Sequence, residues 1–260
     1  MKIIVNADDY GHDRNRTEAI RECFRRGLVN RTTAMVNMPY FPVAIEGARQ
    51  DGFVNKIGLH LNMTFGRPLT SNIRRSRLFC NEDGFFNARF HFNMATRFFL
   101  PDFERRAVAD EAVAQMQKYR DFNLNLLHLD SHHHIHTDPA IARIVLPLAK
   151  GMGFKTVRMT RNIPFNLGFA KKVYKWYVRS ILHRSGLETT DYFGSNHDAR
   201  TIADKFSCSE GSLEIMVHPL YCSSKDMDLN MEWDSTDGPL NDGREPISTI
   251  EWINENSILP

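Results

Sequence analysis

The chain has few cysteines and no two of them close together. Cys23, Cys80, Cys208 and Cys222 form no C-x-x-C pair, which excludes a paired-cysteine metal or redox motif. They read as reduced thiols, mostly in a core. Long apolar runs are also missing: no stretch approaches the roughly 18 residues of a membrane-spanning helix. The apolar start Met1–Val5 turns polar at Asn6, too soon for the core of a signal peptide, so the chain reads as cytoplasmic with no membrane partner. Neither sign of charge dominates. A formal net charge of +2 gives no electrostatic footprint for nucleic acid, and the basic pairs Arg25-Arg26, Arg74-Arg75, Arg105-Arg106 and Lys171-Lys172 read as solvated surface. No repeat, low-complexity tract or Pro/Gly/Ser linker divides residues 1–260, which therefore read as one domain.

What is present is an alternation of two periodicities. Residues 2–7 form a short apolar, β-branched run, and residues 14–26 then carry Ala19, Ile20, Cys23 and Phe24 at helical spacing, with Gly27 as a C-terminal stop. Strand signals follow at 32–37, 56–62, 126–130, 155–159 and 213–217. Helix signals lie at 43–49, 103–120, 139–150 and 168–184, with one more near 246–254. Such alternation predicts α/β architecture: a parallel sheet covered by helices, in a chain of this length a single-domain, distorted or incomplete (β/α) TIM-like barrel. A doubly wound open sheet is the alternative. The Arg- and Phe-rich stretch near 64–100 fits neither unit and reads as an insertion or lid beside a site.

Polar residues of unusual type cluster where the strands end, the face on which such folds collect catalytic groups. Asp8-Asp9 follows the first strand; neighbouring carboxylates there need a cation or shared proton between them, unless they merely cap the next helix. His60 sits among apolar strand residues, and Arg158 lies in the short run Val157–Met159. His218 stands where a strand meets Pro219, a place for a general acid. The densest signal is residues 128–136. If that stretch stays extended, His128, Asp130, His132, His134 and His136 share one face, which suits a divalent ion with supporting hydrogen bonds. Tyr40, Phe41, Phe65, Phe85 and Phe86 are aromatics able either to stack on a ligand's ring or to fill a core.

These residues carry a resemblance. Asn-Ala-Asp-Asp-Tyr-Gly at 6–11, Thr-Thr-Ala-Met-Val-Asn at 32–37, Gly-Leu-His-Leu at 58–61, His-Leu-Asp-Ser-His-His-His-Ile-His at 128–136, Arg158 and Met-Val-His-Pro at 216–219 are similar, in order, to the YdjC-like carbohydrate deacetylases. The chitooligosaccharide deacetylases are among the best-known members of that family. The resemblance implies a barrel-like α/β fold, a hydrolase acting on an N-acetylated mono- or oligosaccharide, one divalent metal ion (Zn or Mg), and a homodimer as an unsurprising state. By position it implies Asp9, His60 and His132 as metal ligands, Asp8 as general base, His218 as acid and Arg158 as the residue orienting Asp8. His134, His136 and Asp130 fall beside the ligands or the substrate. Two other readings stay open: a metal-dependent phosphoesterase or amidohydrolase on a similar barrel, and a non-catalytic sugar- or metal-binding relative.

Overall fold

The structure is a computed structural model describing residues 1–162, 168–195, 198, 211–221 and 229–230. Its elements follow in chain order. β1 (Lys2–Tyr10) leads to α1 (Arg14–Arg25), β2 (Arg31–Ala34), α2 (Phe41–Gln50) and β3 (Ile57–Leu61). Three short helices come next: α3 (Ser71–Arg74), α4 (Arg89–Phe92) and α5 (Met94–Phe98). The long α6 (Asp102–Asp121) precedes β4 (His128–Ser131), α7 (Pro139–Gly151) and β5 (Thr156–Val157). Then come α8 (Phe169–Arg184), β6 (Tyr192–Ser195), β7 (Ser212–Val217) and a small antiparallel pair, β8 (Leu220–Tyr221) and β9 (Leu229–Asn230).

Strands β1 to β7 form one all-parallel sheet in the order β5-β4-β3-β2-β1-β7-β6. Sequential strands are neighbours from β1 to β5, so the winding does not reverse in the middle as in a doubly wound sheet. The two edges approach each other. Beyond β5, the Asn162 N–H donates to the Phe193 carbonyl of β6 at 3.1 Å, and the Phe193 N–H donates to Asn162 Oδ1 at 2.8 Å. The result is a half-barrel, the incomplete TIM-like form.

Strand alternation sorts the side chains into two layers. Val5, Ala7, Ile57, Leu59, Leu61, Leu129, Leu213 and Ile215 join the apolar cluster that also takes Ile20, Ile45, Val108, Met116 and Val145 from the helices. The α6 face foreseen from its spacing is the buried one, with Ala107, Val108, Ala112, Met116 and Tyr119 inward. The opposite layer, inside the curve of the sheet, is charged: Asp8, Arg31, His60, His128, Asp130, Arg158 and Glu214 are all buried there.

Two differences from the sequence reading have physical causes. β6 was not foreseen, because an edge strand of four residues containing Gly194 carries little apolar pattern. The extended stretch 128–136 is corrected: β4 stops at Ser131, and His132–Thr137 form a tight 3₁₀ turn in which His133 and His134 adopt left-handed φ values of 54°. The five polar residues therefore do not share one face. Cys23 and Cys80 are buried thiols. Cys208, Cys222 and the helix expected near 246–254 lie outside the described residues.

Candidate functional site

The site begins where β1 ends. An unbroken strand would send Asp8 into the charged interior and Asp9 into the apolar helix layer. Instead Asp9 takes a left-handed φ of 68°, and the register with β2 shifts between Ala7 and Tyr10. Aspartate tolerates that region better than most residues. Gly11 (φ +81°) completes the exit; a Cβ there would lie 3.1 Å from the Phe41 Cα. The two carboxylates consequently face different partners.

Asp9 turns over the mouth of the half-barrel. Its Oδ1 lies 3.2 Å from His60 Nε2 and 2.9 Å from His132 Nδ1. Burial pushes its carboxyl up, but the charges and hydrogen bonds of His132 and His60 hold it well below the usual range. His60 is placed by β3 and donates from Nδ1 to Asp130 Oδ1 at 2.7 Å; Thr33 donates to Asp130 Oδ2 at 2.9 Å. Burial lowers His60, yet Asp130, Asp9 and Asp8 together push it up to about 10. Asp9, His60 and His132 offer ligand atoms that all lie within 4.8 Å of one another.

This donor set fits a divalent cation on its own chemistry. Two imidazole nitrogens and one carboxylate oxygen converge, all within 4.8 Å of one another. The His60–Asp130 bond fixes the ring so that Nε2 faces the ligand position, the carboxylate–histidine arrangement that supports metal-binding imidazoles.

Asp8 lies beneath this mouth, clamped by Arg158. The guanidinium donates from Nη1 to Asp8 Oδ2 at 2.6 Å and from Nη2 to Asp8 Oδ1 at 2.7 Å. Arg158 Nη2 also reaches Asp130 Oδ2 at 2.7 Å, and Nε donates to Glu214 Oε1 at 2.7 Å. Burial favours the neutral Asp8 carboxyl, but Arg158, with His60 and His218, outweighs it and holds Asp8 ionised far below the ordinary range. Asn6 donates a further bond to Asp8 Oδ1 at 2.7 Å, so among the described residues Oδ1 carries two donors and Oδ2 one. His218 Nε2 stands 3.9 Å from Oδ2.

The remaining histidines divide by role. His136 lies under the site: its N–H and ring bind Ser131 Oγ, and its Nε2 donates to the Arg158 carbonyl at 3.1 Å. Because that carbonyl can only accept, His136 is the neutral Nε2–H form, and burial lowers it to about 4. His134 is held well below its ordinary value by burial and by Arg158, with its ring 5.7 Å from that of Phe193. His128 points to the opposite end of the barrel, bonds Thr156 Oγ1 at 2.9 Å and is lowered to about 3 by burial.

Four groups escaped the sequence reading. Glu214, in the apolar strand Leu213–Val217, carries the signal that singled out Arg158: a charge where a buried strand admits none without a partner. Arg31 pairs with Glu214 at 2.7 Å and donates to Asn6 at 2.8 Å. His12 lies near His132, with ring centroids 6.3 Å apart. Asp138, fully buried, accepts from His91 and Arg97 at 2.6 Å each, so α4 and α5 are tied to the histidine turn. Local sequence gives no signal for those long-range ties.

Fold and site together define a half-barrel α/β protein with an Asp-His-His cluster at the carboxyl ends of its strands. The chain belongs to the YdjC-like protein family, whose model matches residues 2–256. A carbohydrate deacetylase of Vibrio cholerae serotype O1 is 40% identical over 150 residues, 58% of this chain and 56% of that protein. A carbohydrate deacetylase of Brevibacillus brevis is 37% identical over 223 residues, 85% of this chain and 82% of that protein. The chain thus spans little more than half the length of the Vibrio relative and most of the Brevibacillus one. Among solved structures, a putative cellobiose-phosphate cleavage protein of Enterococcus faecalis is similar with a TM-score of 0.64 and 26% identity, covering 85% of this chain and 82% of that one.

Proposed function

We propose that this chain is a metal-dependent carbohydrate deacetylase, hydrolysing the amide of an N-acetylated sugar to free amine and acetate. The observation that carries the reading is the juxtaposition of the Asp9–His60–His132 cluster with an ionised, Arg158-clamped Asp8 and His218 close by. The deacetylase names of the relatives support the substrate class. Asp9, His60 and His132 would hold one divalent ion, zinc or magnesium. When bound, that ion supplies Lewis acidity that activates water and stabilises charge on the acetyl oxygen.

The protein's own groups do the rest. Asp8 receives the proton of the attacking water at Oδ2, the oxygen with one donor among the described residues. Arg158 keeps that carboxylate ionised and fixed in plane, and Asn6 holds its other oxygen. His218 donates a proton to the departing amine; it reaches the site from β7 and is partly exposed, as a group exchanging protons with solvent requires. Asp130 orients His60, and His136 supports the Arg158 backbone.

A two-metal phosphoesterase would need a second set of carboxylates free for an ion. Asp8, Asp130 and Glu214 are the nearby candidates, and the guanidinium of Arg158 already answers all three. The test is acetate release from N-acetylglucosamine and short chitooligosaccharides with zinc or magnesium, alongside metal analysis. One ion per chain and metal-dependent acetate are expected. Two ions per chain with phosphoester cleavage and no acetate would sink the deacetylase reading.

A further inference from the structure

Of the aromatics the sequence offers to a sugar, the structure leaves one ring in place for it. Phe41 and Phe86 are buried in the core. Phe85 is exposed, but the Arg67 guanidinium sits over its ring, 4.2 Å from the centroid. Tyr40 packs against the core from outside. Phe65 is different: it is 45% exposed, its centroid is 6.4 Å from that of His132, and one face stacks on His12 at 4.5 Å with the planes 24° apart.

The backbone that presents this ring is pinned. Asn62 Oδ1 accepts from the N–H groups of Thr64 (3.0 Å) and Phe65 (3.1 Å), and Asn62 Nδ2 donates to the Phe65 carbonyl at 2.7 Å. Asn37 donates to the same carbonyl at 3.2 Å. Gln115 of α6 grips both backbone groups of Asn62, at 3.0 and 2.6 Å. Gly66 follows at φ +74°, where a Cβ would lie 2.7 Å from Met38 Sδ, so the turn beyond the phenyl is built for glycine. A phenyl ring left in water costs free energy, and among the described residues nearly half of Phe65 stays exposed. An aromatic with two torsions on a fixed backbone loses little entropy when a ligand covers it. The apolar C–H face of a pyranose is the complementary surface.

We propose that Phe65 is the stacking platform for the pyranose ring that bears the acetamido group, the inference resting on the deacetylase reading. Phe65 then selects cyclic sugars over acyclic acetamides, and the Asp9–His60–His132 cluster addresses the acetyl group beside it. His12 backs the ring from its other face.

The experiment compares wild type, Phe65→Ala and Phe65→Tyr on N-acetylglucosamine or its short oligomers and on acyclic N-acetylethanolamine. Metal content and melting temperature are measured for each. Phe65→Ala should raise KM for the sugar about tenfold, the scale of one aromatic contact, while Phe65→Tyr keeps it. Turnover number, metal content and KM for the acyclic amide should stay within about twofold. Acetate from wild type with the same sugar KM in Phe65→Ala overturns the platform and leaves the deacetylase reading standing. An equal rise in KM for the acyclic amide also overturns it, since the ring would then not be reading the sugar. No acetate from wild type on either substrate removes both.

Discussion

Asp8 and Asp9 share a peptide bond and live in opposite surroundings. Asp9 faces two imidazoles at the mouth; Asp8 faces a guanidinium below it. Substitutions should therefore separate cleanly. Asp8→Asn is expected to lower turnover by about 10²–10⁴, the usual worth of a positioned base, while metal analysis still finds the ion. Asp9→Asn should lose the ion itself. Equal metal loss in both variants would refute the division of labour. These residues were legible in the sequence because ionisable groups at the ends of apolar strands have few structural excuses. Arg31 was not, since an arginine at the start of a strand looks like any surface residue until its partner Glu214, 183 positions away by their numbering, is known.

At the scale of elements, alternation with period two decides side-chain direction only as far as the strand runs. Within β4 it holds: Asp130 reaches His60 and Arg158 on the inner side, and Leu129 joins the apolar layer. Beyond Ser131 it fails, because His133 and His134 turn left-handed and feed the chain into α7. The cue was present in Asp138-Pro139, an N-terminal boundary for a helix that has to be preceded by a change of direction. Most of the parallel strands and the longer helices were readable because their periods repeat, whereas the four-residue edge strand β6 was not. The short helices of 71–98 were not, since four or five residues repeat no period. Their anchorage is nonetheless firm. Asp138→Ala strips His91 and Arg97 of a buried acceptor and should cost about 2–4 kcal/mol. Hydrogen exchange in residues 89–98 should rise selectively; protection unchanged there would show that α4 and α5 are held by something else.

For the whole molecule, the charged interior sets the response to acid. His128 and His136 have folded values of about 3 and 4, below their ordinary 6.5, so the unfolded chain binds protons first as pH falls. Stability is unaffected by these groups above 6.5 and declines from there downward; His136 alone accounts for about 3 kcal/mol by pH 4. Glu214 is also held low, its burial outweighed by Arg31 and Arg158, so its contribution is present above its unfolded value and fades as pH drops through the acid range. The melting temperature of the metal-free protein should fall steeply between pH 6.5 and 4, and His136→Gln should flatten that slope. A profile of equal steepness in the variant would contradict the assignment. Zinc or magnesium at neutral pH should raise the melting temperature and saturate at one ion per chain, and chelation should reverse it.

Arg158 joins carboxylates from three separate strands, and that has a consequence for building chimaeras. In a hybrid of this barrel with a relative, a crossover that takes Asp8, Asp130 and Glu214 from one parent and position 158 from the other risks leaving an uncompensated charge on the axis. Breakpoints within the outer helices spare this network, because none of its four residues lies on a helix. The heritable unit of this fold is thus not a contiguous fragment: it is four positions scattered from 8 to 214 that have to travel together.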